Sequence, residues 1–195
     1  MSPSSLTREQ LETVFDTVEL VTHQGDDLDD VVRDADARSV LRELGIPVWE
    51  NPWFDLEESL RDDFVFLRDG ETNLAAGHDT VPPGAGDWIV LGMIPYDDLA
   101  LDPHSGAVHC LPQDSEIYVL SSSLRQFVHF LYLLQRERPN YTPVENPEDL
   151  TDDLPFVEDV RDRLEAEMRS VDPVAMENPD CHWHGILDYI VGGEY

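Results

Sequence analysis

The sequence predicts an α+β fold: a mostly antiparallel sheet of about five or six strands, covered by helices. Three observations predict it. Strand-like segments follow one another from Trp88 to Leu120 with no helix between them, which argues against parallel strands joined by helical crossovers. A very apolar stretch with helical spacing comes directly after them, and helical segments flank the unit on both sides.

The elements follow in chain order. Thr7-x-x-Gln10 has the form of a capping box, and Leu11, Val14, Phe15 and Val18 continue as a helical stripe. His23-Gln24-Gly25 is expected to end that helix, with Asp26 to Asp30 as an acidic linker. A second helix runs through Val40, Leu41 and Leu44. Gly45 stands at the position after the helix that takes a left-handed conformation, and Pro47 cannot continue it. Trp49 to Phe54 reads as an aromatic loop, a core plug more than a binding platform, and Phe64 to Leu67 as a strand. Glu71 to Gly86 is polar, with a loop at Pro82-Pro83-Gly84. Trp88 to Ile94 is a short run rich in Ile, Val and Trp, hence a buried strand. Leu99 to Leu101 and Ala107 to Leu111 flank Asp102-Pro103-His104-Ser105-Gly106, whose turn chemistry pairs them as a hairpin. Ile117 to Leu120 is one more strand. Ser121 or Ser122 then caps a helix carrying Leu124, Phe127, Val128, Leu131 and Leu134, and Pro139 is expected to stop it. Asn140 to Leu150 reads as a linker. Asp153 and Pro155 open a helix with Phe156, Val157, Val160, Leu164 and Met168 on its apolar face, broken at Asp172-Pro173. A last helix carries Trp183, Ile186, Leu187 and Ile190 and ends at Gly192-Gly193. The organisation expected is one domain over 1–195: a helical extension at 1–39, the sheet and central helix at 40–138, and closing helices at 151–192.

The formal net charge is -30, and every basic residue is Arg. Phosphate binding needs a basic patch, so this field opposes direct contact with nucleic acid and with anionic membrane, and favours a basic partner. Salt adaptation is the competing account of the same charge. MSPSSLTREQ lacks the apolar segment of a signal peptide, and no apolar run reaches the ~18 residues of a membrane span. With only Cys110 and Cys181, a reduced cytoplasmic protein is the simpler expectation.

Catalytic motifs are missing: there is no nucleophile elbow and no phosphate-binding glycine loop. Cys181, His182 and His184, with His109 and Cys110, supply zinc-ligand types, but without the spacing of ligand pairs. Buried small residues around a core Trp183 explain them without an ion, as a core-edge position explains His129. No metal and no cofactor is expected. Paired carboxylates such as Asp97/Asp98 are so abundant that none stands out as acid and base, and a turn between strands accounts for that pair.

Leu41-Arg42-Glu43-Leu44-Gly45-Ile46-Pro47 resembles the L-x-x-x-G-(L/I)-P entry of the SUKH superfamily, the SMI1/KNR4-like domain. Leu91-Gly92, then Leu101-Asp102-x-x-x-Gly106-x-Val108, is similar to its strand-turn-strand core. Leu120-Ser121-Ser122-Ser123-Leu124-x-x-Phe127 resembles its helix start, with Ser121 where Asn is common. Trp183-x-x-Ile186-Leu187-x-x-Ile190 resembles the closing helix of the SUKH-4 branch, and the likeness spans roughly 40–192. The resemblance implies an immunity protein, not an enzyme, that binds and blocks a co-produced polymorphic toxin, often a nuclease or deaminase. Asp97, Asp98 and Asp102 are then the expected contacts to a basic toxin, standing where phosphates would sit, with Trp49 or Trp53 as an apolar anchor. A scaffold of the same fold with a cellular partner, and a metal-dependent enzyme using Cys181, His182 and His184, are the alternatives.

Overall fold

The computed structural model describes residues 6–69, 80–113, 115–141 and 156–192. Its centre is the antiparallel sheet that the strand run predicts. β3 (Asp55–Leu56), β4 (Ile89–Ile94), β5 (Asp97–Leu101), β6 (Val108–Leu111) and β7 (Tyr118–Ser121) lie in that order. A separate pair, β1 (Leu20–Val21) and β2 (Ile46–Pro47), joins the N-terminal segments. One row across the large sheet reads Asp55, Met93, Asp98, Leu111. β3 crosses β4 at Gly92, where an added Cβ would lie 2.2 Å from the Asp55 carbonyl oxygen, so only glycine fits beneath that crossing.

The helix α4 (Leu124–Tyr141) covers one face of the sheet. Leu124, Phe127, Val128, Leu131 and Leu134 are buried there against Leu91, Leu99, Leu101, Cys110 and Leu120. Each such side chain contributes about 1.5–3 kcal/mol by leaving water, which makes this interface the main source of stability. α5 (Val157–Val171) packs on α4, and α6 (His182–Ile190) packs on α5. Among the described residues, a smaller cluster of Leu67, Ala85, Trp88, Ala100 and Leu111 packs on the opposite face.

Several boundaries differ from expectation for local reasons. The capping box at Thr7 forms, but α1 spans only Arg8–Leu11. The Thr13 hydroxyl donates to the Gln10 carbonyl, and the Asp16 amide donates to Glu19, which restarts the chain as a 3-10 turn at Thr17–Glu19. Val18 is left exposed. The acidic stretch after Gly25 is no linker, because α2 (Leu28–Val31) buries Leu28 in the core. The second helix begins as α3 (Ala35–Ser39), capped by Asp34, and widens to a π-turn at Val40–Leu44. Gly45 follows at the positive φ expected, 85°, but with ψ 153° rather than the left-handed helical value. Phe66 makes only an isolated bridge to Ile89, and Asp55–Leu56 takes the edge position instead.

Ser123, not Ser121 or Ser122, caps α4 through the Gln126 amide; Ser121 ends β7, and Ser122 bonds Asp172. Pro139 sits inside α4, which runs to Tyr141, whose hydroxyl donates to the Leu134 carbonyl. Phe156 is the exposed N-cap of α5 rather than part of its buried face. The expected polar stretch at 70–79, the linker at 142–150, the helix start at 151–155 and Gly193 lie outside the described residues.

Candidate partner-binding surface

Of the five residues expected to meet a partner, Asp97 and Asp98 lie beside the β4–β5 turn and Trp53 borders the hollow that reaches that turn, whereas Trp49 and Asp102 lie elsewhere. The β4–β5 turn is Pro95–Tyr96, so Asp97 and Asp98 begin β5 rather than form the turn. Asp97 is engaged on both oxygens: it accepts from the Gln113 amide at 3.1 Å, and its Oδ2 lies 3.2 Å from His182 Nε2. Asp98 is half-buried, in the same row as the exposed Asp55 and Met93. Asp102 stands at the other end of β5, about 17 Å along the strand at ~3.3 Å per residue. It is committed to its own turn, accepting from the His104 amide and the Ser105 hydroxyl. Burial works to raise its pKa, but these hydrogen bonds outweigh it and hold the carboxyl below the usual range.

The aromatic loop lies beside the sheet end. Asn51 organises it, accepting from the amides of Trp53 and Phe54 and donating to the carbonyls of Trp49 and Phe54. Trp53 and Phe54 are buried core residues, as the plug reading expects. The buried Trp53 indole N–H has no hydrogen-bond partner among the described residues, and the rings of Tyr141 and Tyr189 flank the Trp53 ring at 6.1 Å. Trp49 is half-buried, bonds Gln135 at 3.1 Å, and packs edge-on against Phe15. A cavity of about 510 Å³ opens here between Trp49, Trp53, Arg138, Tyr141 and Tyr189. Asn51, Pro52 and Trp53 also border a second hollow that runs to Met93 and Tyr96. The aromatic loop and the β4–β5 turn thus share one continuous surface.

The cysteines and histidines sort differently from their order in sequence. His109 stacks on Trp88, the Cys181 thiol donates to the Ala175 carbonyl, and His184 faces the Met176 carbonyl. Asp97, Cys110 and His182 do converge, with ligand atoms within 4.8 Å of one another. The imidazole is used at both nitrogens. Nε2 donates to Asp97, and Nδ1 accepts from the Tyr118 hydroxyl at 2.5 Å with the Cys110 sulfur at 3.7 Å. The Tyr118 oxygen in turn accepts the His182 amide. An ion bound here would have to break one of these bonds. Burial pushes the Cys110 thiol up to about 12, so it is protonated at neutral pH and is no nucleophile. Burial lowers His182 despite Asp97, which matches the neutral ring that the network requires.

Tyr96 belongs to this surface although no motif marks it. It is 81% exposed and holds a left-handed backbone at φ 70°, among the described residues the only one other than glycine to do so. The available signal was Pro95-Tyr96 between two strands, a tight turn with an aromatic at its tip.

No curated protein and no solved structure matches the chain. A family model described as SUKH-4 immunity protein matches residues 6–189. With the match running from the first capping box to the closing helix, the chain belongs to the SUKH-4 immunity protein family, and its function is toxin immunity.

Proposed function

We propose that this chain neutralises a basic toxin acting on nucleic acid, by covering the toxin's cleft with the sheet end and aromatic loop. The observation that carries the reading is the charge of -30. Most arginines are already spent within the molecule, for example Arg125 on Asp36, Arg136 on Glu167 and Arg163 on Glu137, so the acidic excess faces outward. A nuclease or deaminase needs a positive cleft to hold phosphates, and such a cleft attracts this chain from a distance. Asp98 and Trp49 are the contacts we assign from the original set. Asp97 is bonded to Gln113 and His182 and Trp53 is buried beneath that surface, whereas Asp102 belongs to its own turn at the far end of β5. Inhibition in this reading is by occupancy, and the chain makes and breaks no bond itself.

The test uses the protein encoded beside this chain's gene, purified with its activity intact. Adding this chain in equimolar amount is expected to abolish cleavage or deamination of nucleic acid, with association slowing steeply as salt rises. Undiminished toxin activity at saturating immunity protein would refute the proposal.

A further inference from the structure

The turn at Pro95–Tyr96 places an aromatic ring where the fold has no use for one. Tyr96 is 81% exposed. Its φ of 70° is a region that glycine or asparagine enters readily and a tyrosine does not. The conformation is nevertheless held firmly. The Gln113 side chain donates to the Tyr96 carbonyl at 2.5 Å, and the Gln113 amide is itself fixed by Asp97. Asp97 is tied to His182 at the first turn of α6, and His182 to Tyr118 of β7. A chain of bonds from the closing helix thus ends on a strained backbone whose side chain points into water. Strain of this kind persists only where the surroundings enforce it, and it gathers at functional sites.

From these facts we infer that Tyr96 is a pre-set anchor for the partner protein: its ring lies against an arginine or lysine of a basic surface, with the carboxylate of Asp55 across the adjoining hollow. The inference rests on the reading of the partner as a basic toxin. The surroundings fit that occupant. Hollows lie on either side of the ring, one bounded by Pro52, Asp55 and Met93 and the other by Pro112, Gln113 and Ser115. A tyrosine face attracts a cation, and a nearby carboxylate adds to the attraction. An aromatic fixed in advance loses little freedom on binding, which is the character of interface hot spots.

The test compares wild type with Tyr96→Gly and Tyr96→Phe. The binding probe is a catalytically inactivated form of the toxin encoded by the adjoining gene. Glycine relieves the backbone, so Tyr96→Gly is expected to melt about 2–4 °C higher than wild type. It is also expected to bind the toxin at least ~10-fold more weakly. Tyr96→Phe keeps the ring face and is expected to bind as wild type does. A loss smaller than tenfold in Tyr96→Gly, while wild type binds, overturns the anchor and leaves the toxin-immunity reading intact. A lower melting temperature in Tyr96→Gly means the fold does use the ring, and also overturns it. Self-association of the chain that Tyr96→Gly abolishes assigns the ring to a second copy and overturns it too. If wild type itself neither binds nor inhibits that toxin, the reading of the partner falls and the anchor with it.

Discussion

Asp172 shows how much one side chain can hold together. It is 1% exposed, and among the described residues no ion pair involves it. Instead it accepts from the Ser122 amide and hydroxyl, each at 2.7 Å, and from the Ala175 amide. Those bonds stop α5 and fasten its end to the segment entering α4. Replacing Asp172 by alanine leaves buried donors without an acceptor, and we expect a loss of about 3 kcal/mol in denaturant unfolding. A loss below about 0.5 kcal/mol, the usual range for a surface site, would contradict the role. The sequence suggested only that Asp172-Pro173 breaks a helix. Its long-range partner, fifty positions away, leaves no local signature.

At the scale of elements, α4 on the sheet carries the fold, and α6 closes it with a buried tryptophan. Trp183 is fully buried among Phe54, Phe127 and Phe130, and its indole N–H donates to the Leu120 carbonyl at 2.7 Å. We expect Trp183→Ala to cost about 3–5 kcal/mol and Trp183→Phe clearly less, measured by thermal or urea unfolding. Equal costs would mean that the ring volume contributes little. The meander, α4 and α6 were legible because their apolar residues repeat with the period of the element and Gly or Pro marks the turns of the meander and the end of α6, although Pro139 failed to stop α4. The N-terminal segments were not. Val14 and Val18 fit a helical stripe, yet Thr13 and Asp16 redirect the backbone through hydrogen bonds of their own. β3 was illegible too, since two residues carry no period and their pairing depends on the distant Gly92. In the candidate surface, the acids and tryptophans could be named from composition. That Asp97 faces inward and Tyr96 outward depends on Gln113 and His182, which no spacing rule connects.

For the whole molecule, charge is the dominant variable. Burial, set against nearby carboxylates in each case, holds His109, His129 and His182 below their ordinary value of 6.5. Their native pKa values lie below the unfolded ones, so the unfolded chain takes up protons first. The stability they contribute is therefore lost as pH falls from about 6.5 toward their native values. Glu137 and Glu165 are depressed as well. For Glu137 burial opposes the shift and bonds from Arg163 and Asn140 prevail; for Glu165 the Arg169 bond leads. Their stabilisation disappears at lower pH, as they protonate in the native state. Relief of self-repulsion acts the opposite way, but at about 1 M salt it is screened beyond ~3 Å. Melting temperature in high salt is therefore expected to fall steadily from pH 7 to pH 4, and a rise over that range would show that repulsion still governs. The most direct test of the central claim is equilibrium binding of the wild-type chain to the inactivated neighbouring toxin, measured across a salt series. The account predicts a tight one-to-one complex whose affinity drops steeply with salt, whereas no complex, or one indifferent to salt, contradicts it.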